Sequence, residues 1–379
     1  MRSHPLAPVV AVVLVLASCG DDDGGGTSGS TEVDTTDAVA VVDGEPFPEE
    51  RCALNEEAGT ITFLTGFDFA AAASIVDVIV AEQSGLYDEL CLDVEVRPSF
   101  STANYPLIAE NEAQFASGGS FSEVVQFAAA NDADFRTVSV EGRTPIDVLI
   151  TKPDAVSGLG DLEGTTIGVK GKLPSSVAAM LLEAGLVEGT DFDTVLLDGF
   201  DPAAHIAIDA IVGFPGWKSN ETGQLERSGI PFDTFDPAEL DIPGSFGAIY
   251  TNEAFIAEHP TAAEDFVRAT MRGLADAVAD PAAAANTAVD LINENGNPNF
   301  LSPEGEVFRW GTEAALITDA ADGEPLALPS ISLLQDELDA YAAIGLFGDE
   351  AAPPDAIAFV DTDLIGSVYR EDGTVIWPG

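Results

Sequence analysis

Aromatic and hydrogen-bonding side chains recur together in short segments that contain glycine or proline. Phe67 and Phe69 flank Asp68, and Trp217 ends a Gly-Phe-Pro-Gly-Trp stretch that contains Phe214. Aromatic faces stack on flat rings or cations, and carboxylates accept hydrogen bonds from ring amino groups. This combination predicts a site for a flat, hydrogen-bonding molecule. The candidate contacts are Phe67, Asp68, Phe69, Gly119, Ser120, Phe121, Lys172, Ser175, Phe214, Trp217, Asn220 and Glu221.

Ordinary structural roles compete with ligand binding at most of these positions. Aromatic residues beside a strand end, such as Phe67 and Phe69, are more often core than ligand platform. Ser120 and Ser175 suit helix N-caps, and a capping serine can also contact a ligand. Trp217 is the most informative candidate, because a tryptophan inside a Gly/Pro loop has little reason to be buried core.

Histidine and cysteine are too scarce for metal or triad chemistry. Of the three histidines, His4 falls in a predicted leader, and only His205 and His259 remain. The sequence has no C-x-x-C pair and no cysteine beside a histidine, which argues against zinc binding and against a histidine-dependent triad. We therefore expect no metal, no cofactor and no enzymatic activity.

The amino terminus has the features of a lipoprotein signal peptide, which we place at 1–18. A basic residue precedes a wholly apolar run at 9–16, shorter than the roughly 20 residues of a membrane-spanning helix. Leu-Ala-Ser-Cys at 16–19 resembles a lipobox, so we expect lipidation of Cys19 and an extracytoplasmic protein anchored to the cell membrane. Residues 19–58 would form a lipidated flexible tether and N-terminal extension. The alternative is a plain secretory signal with an incidental cysteine.

Cys52 and Cys91 are the two cysteines that remain after lipidation takes Cys19. In an oxidising compartment an even pair predicts a disulfide. This bond would close a loop of about 40 residues and contribute about 3–4 kcal/mol to stability.

Composition places the mature chain among acidic globular proteins. Hydrophobic residues make up 46% of the sequence, which is enough to supply cores for two lobes. The 66 Asp+Glu residues outnumber 14 Lys+Arg, and the net charge of −52 argues against an electrostatic grip on nucleic acid or anionic lipid. We interpret the excess as a solvated acidic surface, and we expect a monomer.

Alternating strands and helices must position these segments. Residues 60–64 and 92–96 alternate as strands, and 74–84 between them has helical spacing, which predicts a right-handed βαβ unit. Further strands are predicted at 113–116, 148–151, 166–169, 194–197, 210–213 and 246–250. Helices are predicted at 261–280, 281–295, 303–318 and 331–345. These four helices either form a separate bundle or return to cover the first lobe.

Several different short motifs follow one another between residues 60 and 369. They are V-A-E-Q-S-G-L-Y at 80–87, L-D-V-E-V at 92–96, N-E-A-Q-F-A at 111–116, G-D-L-E-G-T-T-I-G-V at 160–169, D-A-I-V-G at 209–213, N-E and H-P within 252–260, and V-D-T-D at 360–363. Each motif is weak alone. Their order and spacing resemble the substrate-binding proteins of ABC importers for thiamine-pyrimidine precursors, aliphatic sulfonates, taurine and nitrate.

The resemblance implies an α/β, bilobal type II periplasmic-binding-protein fold. Two Rossmann-like lobes would be joined by a two-segment hinge, with the C-terminal helices packing on the first lobe. Lobe 1 would comprise 59–144 plus 246–379, and lobe 2 would comprise 145–245. A small molecule would bind between the lobes, where loops leave the carboxyl ends of strands, and would pass to ABC permease and ATPase subunits.

Two departures qualify the resemblance: the first concerns local helix geometry, and the second bears on the ligand. The segment 201–208 is shorter than the family's helix before the D-A strand, and arginine is absent from most loops that would grip a sulfonate or nitrate. Asn220 and Glu221 resemble the N-E-P of vitamin-precursor binders, with Thr222 replacing the proline. We expect a thiamine pyrimidine precursor, with sulfonate, taurine, nitrate or riboflavin as alternatives. A pyrimidine-synthase-like enzyme is disfavoured, because that enzyme's clustered cysteines and histidines are missing.

Overall fold

The computed structural model describes residues 39–297, 299–321, 323–348 and 351–379. Strands in these ranges form two five-stranded sheets, and helices pack on both. No helix in this part of the chain has the length and apolar character that a membrane span requires. The predicted signal peptide and the lipidation site at Cys19 lie outside the described residues.

The first sheet has the strand order β2-β1-β3-β10-β4. Its strands are β1 (Thr60–Leu64), β2 (Asp93–Arg97), β3 (Phe115–Gly118), β4 (Phe135–Gly142) and β10 (Phe246–Asn252). Strand β1 pairs in parallel with β2 and β3, whereas β10 runs antiparallel between β3 and β4. The central strands β3 and β10 are buried along their whole length, as expected where both faces of a sheet are covered.

The second sheet has the strand order β7-β6-β8-β5-β9. Its strands are β5 (Asp147–Thr151), β6 (Thr166–Val169), β7 (Asp193–Leu196), β8 (Gly213–Trp217) and β9 (Asp233–Phe235). Strand β6 pairs in parallel with β7 and β8, and β5 runs antiparallel to β8 and β9. Each sheet is therefore mixed, with parallel pairs at one side and antiparallel pairs at the other.

The chain passes between the two sheets twice. It leaves the first sheet after Gly142 and enters the second at Asp147. It leaves the second sheet after Phe235 and returns to the first at Phe246. The predicted bilobal α/β fold with two connecting segments is confirmed. We keep the limits of lobe 2 at residues 145–245 as a proposal.

Helices flank the sheets of both lobes. Before β10, lobe 1 has α1 (Glu49–Glu57), α2 (Val76–Gln83), α3 (Leu86–Glu89), α4 (Ser101–Ala109) and α5 (Phe121–Asn131). Lobe 2 has α6 (Ser175–Glu183), α7 (Pro202–Ile206) and α8 (Glu221–Arg227). After β10 come α9 (Glu253–Glu258), α10 (Pro260–Ala279), α11 (Pro281–Asn295), α12 (Pro303–Ala321), α13 (Ile331–Ala342) and α14 (Thr362–Gly366).

The helices after β10 cover the first sheet and do not form a separate bundle. Phe266 of α10 stacks on Phe115 of β3, with ring centroids 4.0 Å apart, and it also contacts Phe63 of β1. Trp310 of α12 is fully buried in the same core, and its indole N–H donates to the Ala277 carbonyl at 3.0 Å. Removal of this apolar surface from water holds the helices on the sheet.

Helix α1 holds the N-terminal extension against α10. The Arg51 guanidinium donates to both carboxylate oxygens of Asp265, at 2.6 and 2.9 Å. Cys52 of α1 forms a disulfide with Cys91, which lies shortly before β2. Residues 49–57 of the predicted extension are therefore a helical part of lobe 1.

Strand β8 occupies a stretch that the sequence predicts as a loop. The predicted strand ends at Gly213, whereas β8 begins there and runs to Trp217. Gly213 has no room for a side chain, because a Cβ would lie 2.2 Å from the carbonyl oxygen of Ile150. Pro215 stands opposite Leu149, between the hydrogen-bonded pairs of the antiparallel ladder. Its missing N–H therefore removes no bond to β5.

Candidate functional site

A cavity of about 320 Å³ opens between lobe 1 and lobe 2. Phe67 and Gly119 reach it from the segments that follow β1 and β3, and Trp217 reaches it from the end of β8. Helix α12 adds Glu313. Open α/β sheets bind ligands at the carboxyl ends of their strands, so this position is the expected one for a binding site.

Four aromatic residues line the cavity, and all except the buried Phe246 are partly or largely exposed. Phe67 is held by an edge-to-face contact with Phe100, with ring centroids 5.8 Å apart. Trp217 is 36% exposed, which leaves indole surface open to the cavity. Phe200 is 60% exposed, and the Nζ atom of Lys170 lies 5.0 Å from its ring centroid. Exposed aromatic surface inside a cleft is available for stacking on a planar ligand.

Two carboxyl groups of the cavity hold a proton close to neutral pH. Glu313 accepts hydrogen bonds from the Ala73 N–H at 2.5 Å and from the Ser219 hydroxyl at 2.6 Å, and burial raises its pKa from 4.5 to about 7. Asp147 accepts a longer bond from the Ser176 hydroxyl at 3.3 Å, and burial raises its pKa from 3.8 to about 7. Near neutral pH each carboxyl group can therefore both donate and accept hydrogen bonds.

Glu221 forms part of the lobe 2 wall. Its carboxylate accepts hydrogen bonds from the Lys170 ammonium at 2.6 Å and from the Trp217 N–H at 2.8 Å. Gly216 permits this geometry, because a Cβ on it would lie 2.8 Å from the Cβ of Glu221. Glu221 thus fixes the backbone of Trp217 at the cavity wall and offsets the charge of Lys170.

The positive charges of the cavity have acidic neighbours. Lys170 forms an ion pair with Glu221, and Arg309 donates to the Glu306 carboxylate at 2.8 Å. Glu123 and Lys172 carry opposite charges and line the same cavity. An anionic ligand would therefore compete with carboxylates for each of these cations.

The structure brings six of the predicted ligand contacts to this cavity. They are Phe67, Gly119, Lys172, Trp217, Asn220 and Glu221. Ser120 and Ser175 line a second cavity beside the first. The remaining four predicted contacts line neither cavity, and they are Asp68, Phe69, Phe121 and Phe214.

These four residues have structural roles that correct the sequence-based assignment. Phe69, Phe121 and Phe214 are buried in hydrophobic cores, with 4% exposure at most. Side chains alternate along β8, so Phe214 faces the core on the side opposite to Trp217. The Asp68 carboxylate instead accepts a hydrogen bond from the side-chain amide of Asn299 at 3.1 Å.

Sequence reasoning missed the buried acids of the cavity. Helical spacing could have pointed to Glu313. In α12 it shares one buried face with Glu306 and Arg309, which stand seven and four residues before it. No sequence pattern points to Asp147 as a cavity residue, apart from its place at the start of a strand. The other polar or aromatic lining residues that were not predicted are Ser101, Ser117, Glu123, Lys170, Phe200 and Phe246.

Comparison with known proteins gives two curated relatives. The riboflavin-binding protein RibY of Chloroflexus aurantiacus is 26% identical over 303 residues, which cover 78% of this chain and 80% of that protein. A formylaminopyrimidine-binding protein of Halalkalibacterium halodurans is 27% identical over 230 residues, which cover 58% of this chain and 67% of that protein.

Solved structures and a family model give the fold and the family. A putative periplasmic sulfonate-binding protein, SsuA, of a Methylobacillus flagellatus sulfonate ABC transporter superposes with a TM-score of 0.57 at 14% identity. The superposition covers 81% of this chain and 93% of that one, and it shows a shared fold. The family model described as NMT1/THI5 like matches residues 72–284, more than half of the chain. The chain has the periplasmic-binding-protein fold and belongs to the NMT1/THI5-like family.

Proposed function

We propose that this protein is the extracytoplasmic solute-binding component of an ABC importer and that its cleft captures a planar nitrogen heteroaromatic. The observation that carries the proposal is that Phe67 and Trp217 meet the carboxyl groups of Asp147 and Glu313 in one interlobe cavity. The protein would hand the unchanged ligand to permease and ATPase subunits, and it would not act as an enzyme.

Stacking and paired hydrogen bonds are the recognition chemistry of this cavity. Phe67 and Trp217 can hold a flat ring through their faces. A carboxyl group that carries a proton matches the edge of an aminopyrimidine, where an amino group donates beside a ring nitrogen that accepts. Because the pKa values of Asp147 and Glu313 are about 7, the cavity suits a ring that is neutral or singly protonated.

Sulfonate, taurine and nitrate fit the cavity less well. Their oxygen atoms are negatively charged acceptors, and the carboxyl groups of Glu123 and Glu221 line the same cavity as Lys172 and Lys170. The net charge of −52 also opposes the approach of anions. Salt screens this long-range repulsion over about 8 Å, so the groups inside the cavity decide the selectivity.

The two curated relatives support the same class of ligand. Their names say that they bind riboflavin and formylaminopyrimidine, which are both nitrogen heteroaromatics. A thiamine pyrimidine precursor remains our first candidate. Riboflavin is the second candidate, favoured by a cavity of about 320 Å³, which lies within the range of pockets for drug-sized ligands.

Calorimetric titration of the mature protein tests the proposal. The heteroaromatic probes are hydroxymethylpyrimidine, its formylamino analogue and riboflavin, and the anionic probes are taurine and nitrate. At least one heteroaromatic should bind, and Trp217→Ala should weaken it roughly tenfold or more, since stacking contributes about 1–3 kcal/mol per ring. Leu196→Ala is the matched control in lobe 2, because Leu196 is 71% exposed. Tight taurine binding that survives Trp217→Ala would overturn both the ligand class and the site.

The proposal places the protein outside the cytoplasm as a lipid-anchored monomer. The lipobox at residues 16–19 supports lipidation of Cys19. The disulfide between Cys52 and Cys91 suits an oxidising compartment. A tether before lobe 1 would keep the binding protein close to its membrane-embedded permease.

A further inference from the structure

A second cavity of about 260 Å³ adjoins the first in the same interlobe cleft. Glu123, Asp147 and Lys172 line both cavities, whereas Phe67 and Phe200 line only the first. We call the first cavity the ring compartment and the second the hydroxyl compartment. The hydroxyl groups that line the second come from Ser120, Ser175, Ser176, Ser245 and Tyr341.

The hydroxyl compartment offers donors and acceptors side by side. Asp147 is an acceptor, and it already accepts a hydrogen bond from the hydroxyl of Ser176, which is 3% exposed. The backbone N–H groups of Ser175 and Ser176 are donors, because the first N–H groups of a helix have no intrahelical partner. Pro174 at the N-cap of α6 provides no side-chain oxygen to bond them.

We infer that the hydroxyl compartment can hold a hydroxylated chain attached to the stacked ring, so that of two heteroaromatics with the same ring the one with a polyhydroxylated substituent binds more tightly. This inference rests on the proposed function. Each hydroxyl of such a chain both donates and accepts hydrogen bonds, which matches the mixed groups of the compartment. The chain would also keep Asp147 and the α6 amides hydrogen-bonded when the lobes exclude water.

Other occupants match the hydroxyl compartment less well. A phosphate or sulfonate group is chiefly an acceptor and would meet the carboxyl groups of Glu123 and Asp147. An alkyl chain would offer no hydrogen bond to the Ser175 hydroxyl or to the α6 amides, which is costly in a closed cleft. The hydroxyl groups of Ser120, Ser176, Ser245 and Tyr341 already have partners within the protein. A bare pyrimidine would occupy the ring compartment alone and leave the hydroxyl compartment to water.

Riboflavin and lumiflavin test the inference, because they share the isoalloxazine ring and lumiflavin has a methyl group in place of the ribityl chain. In calorimetric titrations of the mature protein, riboflavin should bind roughly tenfold more tightly or better. Ser175→Leu fills the hydroxyl compartment and should remove most of this advantage, with little change in lumiflavin affinity. Ser228→Leu, at the exposed end of α8, is the control and should change neither affinity.

The outcomes separate this inference from the proposed function. Equal affinities for riboflavin and lumiflavin would overturn the inference and leave the proposed function in place. Binding of hydroxymethylpyrimidine but not of riboflavin would also overturn the inference and leave the proposed function in place. Failure of every heteroaromatic to bind would overturn the proposed function as well. Thermal melts check the folding of Ser175→Leu, and if it does not fold, the wild-type affinity ratio alone decides.

Discussion

The buried carboxyl group of Glu313 should make the stability of this protein fall as pH rises. Burial raises its pKa from 4.5 to about 7, so within that interval the folded protein keeps a proton that the unfolded chain releases. The stabilisation that this retained proton gives the folded state is fully present below pH 4.5 and is lost as pH rises through about 7. One retained proton changes the free energy of unfolding by roughly 1.4 kcal/mol per pH unit, or roughly 3 kcal/mol over the interval.

Glu313→Gln isolates this effect. The amide oxygen of glutamine can still accept from the Ala73 N–H, and its NH2 group can donate to the Ser219 oxygen, but glutamine does not titrate. Urea denaturation at about pH 5 and about pH 6.5 should show a shallower decline in the variant, by about 1.4 kcal/mol per pH unit. Glu304→Gln makes the same side-chain change on the exposed face of the same helix and should keep the wild-type slope. Identical slopes in all three proteins would show that folding does not make Glu313 retain a proton.

Three further predictions concern the anchor, the disulfide and the hinge. Replacing Cys52 and Cys91 with serine should lower the free energy of unfolding by about 3–4 kcal/mol, because the bond joins residues 39 apart, and an unchanged denaturation midpoint would contradict this. Ligand should close a hinge at 143–146 and 243–247 and reduce the radius of gyration in X-ray scattering, whereas superimposable curves would count against closure. Cys19→Ala should release the protein from the membrane fraction with ligand affinity intact, and unaltered fractionation would exclude the anchor.

Much of the fold could be predicted because its elements carry strong local signals. Helix α11 occupies Pro281–Asn295 as predicted, with Asp280 as a capping residue and proline at its first position. Strand β6 likewise lies at Thr166–Val169, between turn residues that mark its ends. Strand β4 was not predicted, because Arg, Thr, Ser and Glu interrupt a strand that is nevertheless buried almost throughout.

The site was harder to predict, because long-range packing decides which side chains face the cavity. Phe214 and Trp217 share one Gly/Pro-rich stretch, yet the pairing of β8 with β5 turns the first to the core and the second to the cavity. Glu313 reaches the cavity only because α12 returns to lobe 1 after β10. Asp147 reaches it only because β5 begins where the chain enters lobe 2. The helical spacing of Glu313 with Glu306 and Arg309 marks one shared helix face, but the local sequence does not show that this face or Asp147 meets the cavity.

Tryptophan fluorescence can show whether the ligand ring stacks on Trp217, which is the aromatic wall contributed by lobe 2. A heteroaromatic ligand that binds by calorimetry should quench the emission of the wild-type protein. Trp217→Phe should keep most of the affinity, since phenylalanine can still stack, but it should lose most of the quenching. Trp310 is fully buried in the lobe 1 core and should contribute little to the change. If the ligand binds both proteins and quenches both equally, the ring lies away from Trp217, which would contradict the proposed stacking on that side chain.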